Sequence, residues 1–209
     1  MSNYELENIN FTSLSRTDNF SGLSPSDISY IYNFVIKEKC LNVLEIGMAD
    51  GLSSLTILSA LKKNSQDLSK PNFKLTSIDP YQTTQWKSNG LKNIKKLNFA
   101  ENHKHIEDLD IFSLPKLVEK GMKYDLIFID GYHTFDHVLL NNFYADYLLN
   151  IGGFIINDDF WMQSIQKVCD FLTKNYTHFQ IYDNSYSRFG PVYKKVSNKD
   201  IKWDEFMMF

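Results

Sequence analysis

The sequence predicts an α/β fold: a mostly parallel sheet with helices on both faces, followed by an antiparallel C-terminal hairpin. Three observations lead there. The first is Val43-Leu44-Glu45-Ile46-Gly47-Met48-Ala49-Asp50-Gly51-Leu52-Ser53-Ser54, where a short apolar run ends at one glycine and a second glycine opens a helix. A buried strand, a glycine turn and a helix make the first unit of a nucleotide-binding sheet. The second is Tyr124 to Ile129, whose apolar run reads as a strand buried on both faces, hence central and parallel. The third is the order of segments. Strands alternate with helices as far as Lys174, and two short strands then follow each other directly, which implies an antiparallel pair.

Taken in order, residues 1 to about 22 are polar with scattered aromatics and read as an arm or lid; the domain proper is expected over 25–209, with 1–24 as the arm. Ser24-Pro25-Ser26-Asp27 starts a helix, with proline early in its first turn. Its apolar stripe is Ile28, Ile31, Tyr32, Val35 and Ile36. Strand one runs from Asn42 to Ile46 and its helix from Leu52 to Lys62. Phe73 to Ile78 is strand two, ending in Asp79-Pro80, and Gln82 to Leu97 is helical with an interruption at Asn89-Gly90. His103 to Glu107 is a weak third strand. His103 and His105 could ligate a metal, but an exposed strand face is the simpler expectation. Ile111 to Lys120 is a helix containing Pro115 and closed by Gly121. After the central strand, Phe135 to Leu149 is a helix, Phe154 to Ile156 a strand and Phe160 to Lys174 a helix. Phe179 to Tyr182 and Val192 to Val196 form the hairpin. The apolar tail Trp203, Phe206, Met207, Met208 and Phe209 is expected to dock on the body, with a homodimer contact as the second reading.

Composition narrows the partners. At 209 residues one domain with a substantial core is the default. A net charge of −3 gives no reason to expect nucleic acid. No apolar run reaches the length of a membrane span, and the N-terminus carries no signal-peptide pattern. Cys40 and Cys169 are far apart in apolar, helix-like settings; they read as buried thiols and point to the cytoplasm.

The glycine spacing carries chemistry. A dinucleotide fingerprint needs G-x-G-x-x-G to seat a pyrophosphate on a helix N-terminus. Here three residues separate Gly47 and Gly51, and Glu45 sits inside the strand end. A carboxylate there repels a pyrophosphate and suits a cationic or amine-bearing ligand. S-adenosylmethionine (SAM), with its sulfonium and α-amino group, is such a ligand. The stretch resembles the first motif of class I SAM-dependent methyltransferases, E-x-G-x-x-x-G. Asp79, at the end of strand two, is placed to accept from the two hydroxyls of a ribose; an Asp-Pro turn start is the alternative.

Asp130 ends one strand and Asp158-Asp159 end the next. If the strands are neighbours, these carboxylates lie about 5 Å apart. Such a group is costly unless something cationic sits among the charges, and oxygen-only ligands suit Mg2+, Ca2+ or Mn2+. The other reading makes Asp159 a helix cap and Asp130 a loop stabiliser. His133 lies three residues beyond Asp130 on the same loop. A histidine titrating near neutrality suits a general base. His137 is the second choice.

Three segments resemble a bacterial-type family of class I methyltransferases related to macrolide and cephalosporin O-methyltransferases. They are Ile78-Asp79-Pro80-Tyr81-Gln82-Thr83-Thr84-Gln85-Trp86-Lys87, Phe128-Ile129-Asp130-Gly131-Tyr132-His133-Thr134-Phe135 and Asn157-Asp158-Asp159-Phe160-Trp161-Met162. The resemblance covers roughly residues 25 to 196 and is also similar to catechol and caffeoyl-CoA O-methyltransferases, which use a divalent metal. It implies a Rossmann-like sheet of seven strands. It implies SAM as cofactor, with Glu45, Gly47, Ser53, Asp79, Asp110 (near the adenine) and Asp130 as its binding residues. It further implies Mg2+ or another divalent cation on Asp130, Asp158 and Asp159. Where the catechol enzyme has an acid–amide pair, this chain has two acids; where that enzyme has a catalytic lysine, this chain has His133. The resulting expectation is metal-assisted O-methylation of a small hydroxylated molecule of sugar or natural-product type, with His133 and Asp130 catalytic. Metal-independent or nitrogen-directed methylation, and a catalytically silent adenosine-ligand binding module, are the rivals.

Overall fold

The structure, a computed structural model, describes residues 22–199 and 204–209. Most of the expected N-terminal arm, and Trp203 of the tail, lie outside the described residues. The strands form a seven-stranded sheet in the order β3-β2-β1-β4-β5-β7-β6: β1 is Asn42–Ile46, β2 Lys74–Ile78, β3 His103–Ile106, β4 Tyr124–Ile129, β5 Leu149–Asn157, β6 Phe179–Asp183 and β7 Val192–Lys195. The chain divides into two compact units, the first ending at Asp108 and the second beginning at Leu109.

In the first unit, helix α1 (Pro25–Lys37) opens on a complete capping box. The Ser24 amide donates to Asp27 at 2.6 Å and the Asp27 amide to the Ser24 hydroxyl at 3.3 Å. Two otherwise orphaned donors are satisfied this way. Ile28, Ile31, Tyr32, Phe34 and Val35 are buried along its inner face. Strands β1, β2 and β3 are parallel, and the register sets Glu45 opposite Ser77 and Ser77 opposite His105. Helix α2 (Leu52–Asp67) starts on Gly51, whose φ of +82° is left-handed. The helix expected from Gln82 begins only at Asn89 (α3, Asn89–Lys96). Lys87 and Ser88 have positive φ, and the Gln82 side chain donates to the Ala49 carbonyl at 2.7 Å. Gly90 therefore starts the helix rather than interrupting it, and its backbone packs where a Cβ would lie 2.7 Å from the Ala49 carbonyl oxygen. His103 and His105 are half-buried, not on an exposed face. His103 pairs with the Ser77 hydroxyl at 2.9 Å and His105 with the Asp79 carbonyl at 3.0 Å, and burial lowers the His103 pKa to about 4.

In the second unit, β4 and β5 are parallel, while β7 runs antiparallel to both β5 and β6. Helices α4 (Asp110–Glu119), α5 (Phe135–Leu148) and α6 (Gln163–Asn175) complete it. β5 begins directly after α5, five residues earlier than its apolar core suggests, because Asn150, Ile151, Gly152 and Gly153 continue the strand. Of the tail, Met207 exchanges two hydrogen bonds with Asn175 at the end of α6, at 2.8 and 2.9 Å, and Phe209 meets Phe171 edge-on at 5.1 Å. Met207 and Phe209 thus meet α6, while the Phe206 and Met208 side chains stay exposed. Cys40 and Cys169 are buried and form no disulfide. No helix among the described residues is long and apolar enough to cross a membrane.

Candidate active site

The first unit shapes the turn after β1. Gly47 has a φ of +88° and donates its amide to the Ile78 carbonyl at 2.8 Å. Asp79, 4% exposed, accepts from the amides of Met48 at 3.1 Å and Ala49 at 2.9 Å through one oxygen, and from the Tyr81 amide at 2.9 Å through the other. Gln82 adds a fourth donor at 3.2 Å. The carboxylate fixes the turn, while Gly47 and Ala49 stay part-exposed at the strand end. A ligand could approach that backbone closely.

Glu45 lies on β1 just ahead of that turn. It is fully buried, and Ser53, Ser54 and Ser77 donate to it at 2.6, 2.5 and 2.6 Å. Burial pushes its pKa up from 4.5 to about 7, against the pull of the three hydroxyls. The sequence set Glu45 and Ser53 against a ligand; the structure pairs them with each other inside the unit. Parallel pairing puts Ser77 beside Glu45, and the first turn of α2 brings the other two serines.

The second unit holds the ionisable cluster. Asp130 follows β4, and Asp159 follows β5 with a left-handed φ of +53°, which aspartate tolerates better than most residues. The His133 Nε2 atom lies 3.5 Å from Asp130 Oδ1 and 3.3 Å from Asp159 Oδ2. The Ser164 hydroxyl holds the same loop through the His133 carbonyl at 2.6 Å. The bond to Asp130 lifts the imidazole above its ordinary pKa, against burial, and the acidic charges around it add to the lift. Burial raises the Asp130 carboxyl well above its usual range, and the charge of Asp158 adds to that. Trp161, 71% exposed, donates its indole N–H to Asp159 Oδ1 at 2.9 Å. His137, the second candidate base, is engaged elsewhere: its Nδ1 sits 3.1 Å from both oxygens of Asp110. Asp110 also accepts from the Ile111 amide at 2.9 Å at the start of α4.

Asp158 is where the three-acid ligand set departs from expectation. It is fully buried and faces Arg188, whose Nε lies 2.7 Å from Oδ1 and whose terminal nitrogen lies 2.9 Å from Oδ2. The Asp159 amide also donates to Oδ1 at 2.7 Å. Both oxygens of Asp158 thus accept hydrogen bonds. Asp130, His133 and Asp159 do offer ligand atoms within 4.8 Å of one another, but as a mixed nitrogen and oxygen set unlike the all-oxygen shell Mg2+ prefers. Sequence reasoning missed Arg188. The available signal was compositional: it is one of two arginines among 22 Lys and Arg residues, and arginine alone offers the planar fork that matches a carboxylate.

A mostly parallel sheet with a glycine turn after its first strand defines a Rossmann-like α/β protein. The chain belongs to the methyltransferase-domain family, whose model matches residues 44–160, more than half its length. Solved structures share the fold. The O-methyltransferase of Bacillus cereus in complex with SAH superposes with a TM-score of 0.66 at 16% identity, over 82% of this chain and 80% of that one. TomG of Streptomyces achromogenes, an O-methyltransferase of tomaymycin synthesis in complex with SAM, gives 0.67 at 15% identity over 84% and 82%. The SAH-bound methyltransferase PaMTH1 of Podospora anserina gives 0.63 at 16% over 85% and 80%. An uncharacterized protein of Acanthamoeba polyphaga mimivirus is 32% identical over 126 residues, which are 57% of this chain and 52% of that protein. The chain thus spans about half the length of this curated relative.

Proposed function

We propose that this chain transfers the methyl group of SAM to a hydroxyl oxygen of a small molecule of sugar or natural-product type, with His133 as the general base. The observation that carries the reading is the part-exposed imidazole held between Asp130 and Asp159. Family membership and the SAM- and SAH-bound solved structures of the same fold support the cofactor. When bound, SAM supplies an electrophilic methyl carbon on a sulfonium leaving group. The rigid Gly47–Gly51 turn fits such a ligand, because Asp79 fixes its backbone and leaves Gly47 and Ala49 accessible. In the second unit, Asp110 and Asp130 are the proposed cofactor residues.

A neutral alcohol is a poor nucleophile and must lose its proton as the new carbon–oxygen bond forms. His133 takes that proton on Nδ1, the ring nitrogen that is not turned towards Asp130 and Asp159. Asp130 and Asp159 orient the ring and stabilise the imidazolium that results. The proposed step uses no divalent cation, since the acid that would complete an oxygen-only set is held by Arg188.

Methyl transfer across a panel of hydroxylated acceptors, followed as SAH release, tests the reading. His133→Ala should lower turnover by about 10²–10⁴-fold while leaving SAH affinity unchanged. Undiminished turnover in His133→Ala, or no SAH binding by calorimetry, would overturn it.

A further inference from the structure

Three carboxylates, Asp130, Asp158 and Asp159, follow two adjacent parallel strands. Like charges this close require a counter-cation or a shared proton. The guanidinium of Arg188 grips Asp158 through two nitrogens, and its terminal nitrogen also lies 3.3 Å from Asp159 Oδ1. Two parallel charge-assisted bonds to one carboxylate are strong and directional.

This arginine is not a swinging surface side chain. It comes from the loop between β6 and β7, and that loop is locked on both sides of residue 188. The Phe160 amide, immediately after the acidic pair, donates to the Arg188 carbonyl at 2.8 Å. Gly190 has a φ of +57° and passes so close to the Phe160 ring that a Cβ there would lie 2.5 Å from it. Phe189 is fully buried, edge-on to Phe128 at 5.8 Å, with Tyr186 stacked on it at 5.3 Å. Backbone, glycine and aromatic anchors together aim the guanidinium at the acidic pair, Asp158 first.

We propose that Arg188 is the resident counter-cation of this cluster, a positioning residue that replaces a divalent metal and makes the chain metal-independent. A metal ion that took Asp158 as a ligand would have to displace two guanidinium bonds from a fully buried carboxylate. With Arg188 in place, Asp158 is neutralised and Asp159 is steadied beside His133. The inference deepens the methyl-transfer reading above and rests on it only where it makes methyl transfer metal-independent; the cation binding itself is separate.

Calorimetric titration of the full chain with Mg2+ and with Mn2+ tests it. The unaltered protein should show no saturable binding of either ion at millimolar concentration, and its methyl transfer should keep the same rate in EDTA. Arg188→Met should acquire a melting temperature that rises with Mg2+ or Mn2+. The rise should vanish again in Arg188→Met combined with Asp158→Asn, which keeps the pair neutral and protects the fold. Arg188→Lys, which keeps the charge but loses the fork, should remain unresponsive to either ion. Saturable binding of either ion to the unaltered protein, abolished by Asp130→Asn, would overturn the inference whatever the variants do. So would an Arg188→Met protein that ignores both ions. The calorimetric and melting readouts need no turnover: a chain that binds no ion and transfers no methyl group would count against the function proposed above and leave the role of Arg188 standing.

Discussion

Ser77 and Glu45 face each other across the paired strands β1 and β2, and the serine hydroxyl donates to the glutamate at 2.6 Å. The carboxyl is fully buried, and its pKa rises from 4.5 to about 7 because burial outweighs the hydrogen bonds. A carboxyl whose pKa is raised in the folded state holds its proton longer than the unfolded chain does. Its contribution to stability is therefore complete below about 4.5, is lost as pH rises towards about 7, and is flat above that. The loss amounts to about 3 kcal/mol. Glu45→Gln removes the titration and keeps groups that can bond the three serines. Urea unfolding at pH 5 and pH 8 should show the variant gaining stability relative to the unaltered protein at the higher pH. Parallel pH dependences of the two proteins would refute this account of Glu45.

Asp79 uses both oxygens on backbone amides, one on Met48 and Ala49 and the other on Tyr81. Asp79→Asn keeps one acceptor oxygen but must turn its NH2 towards a donor on one side. A buried amide left unpaired costs about 1–3 kcal/mol. The variant should lose that much stability in urea unfolding. It should also bind SAH more weakly, because the turn that presents Gly47 is no longer fixed. Unchanged SAH affinity in a destabilised variant would separate the turn from the cofactor.

Most of the strands were legible because their signals are local. Val43 to Ile46 and Tyr124 to Ile129 are apolar runs that can only be buried, and β1 and β4 fall where those runs do. The helix before β3 was misplaced because the decisive contact, the Gln82 side chain on the Ala49 carbonyl, is 33 residues away in sequence. The acidic residues after β4 and β5 were legible as a cluster, since parallel pairing brings strand ends together. Their division of labour was not. Whether Asp158 faces an ion or an arginine depends on a loop 30 residues further on. Likewise, the inward turn of Glu45 depends on Ser77 across the sheet, which periodicity does not register.

Gly190 and Phe160 give the last prediction. Alanine at 190 would carry a Cβ in the left-handed region and place it 2.5 Å from Cδ2 and 2.7 Å from Cγ of the Phe160 ring. The left-handed backbone costs a non-glycine residue about 1–2 kcal/mol, and overpacking adds about 1–3 kcal/mol. Gly190→Ala should therefore destabilise by about 2–5 kcal/mol in urea unfolding. Only the overpacking part involves the ring. Adding Phe160→Ala removes the two ring atoms nearest that Cβ, Cγ and Cδ2, and should recover about 1–3 kcal/mol of what additivity would predict, leaving the backbone cost in place. The same double variant should restore the grip of Arg188 on Asp158, since the loop can settle back once the ring is gone. Strictly additive losses in the cycle would show that Phe160 does not set the position of this loop.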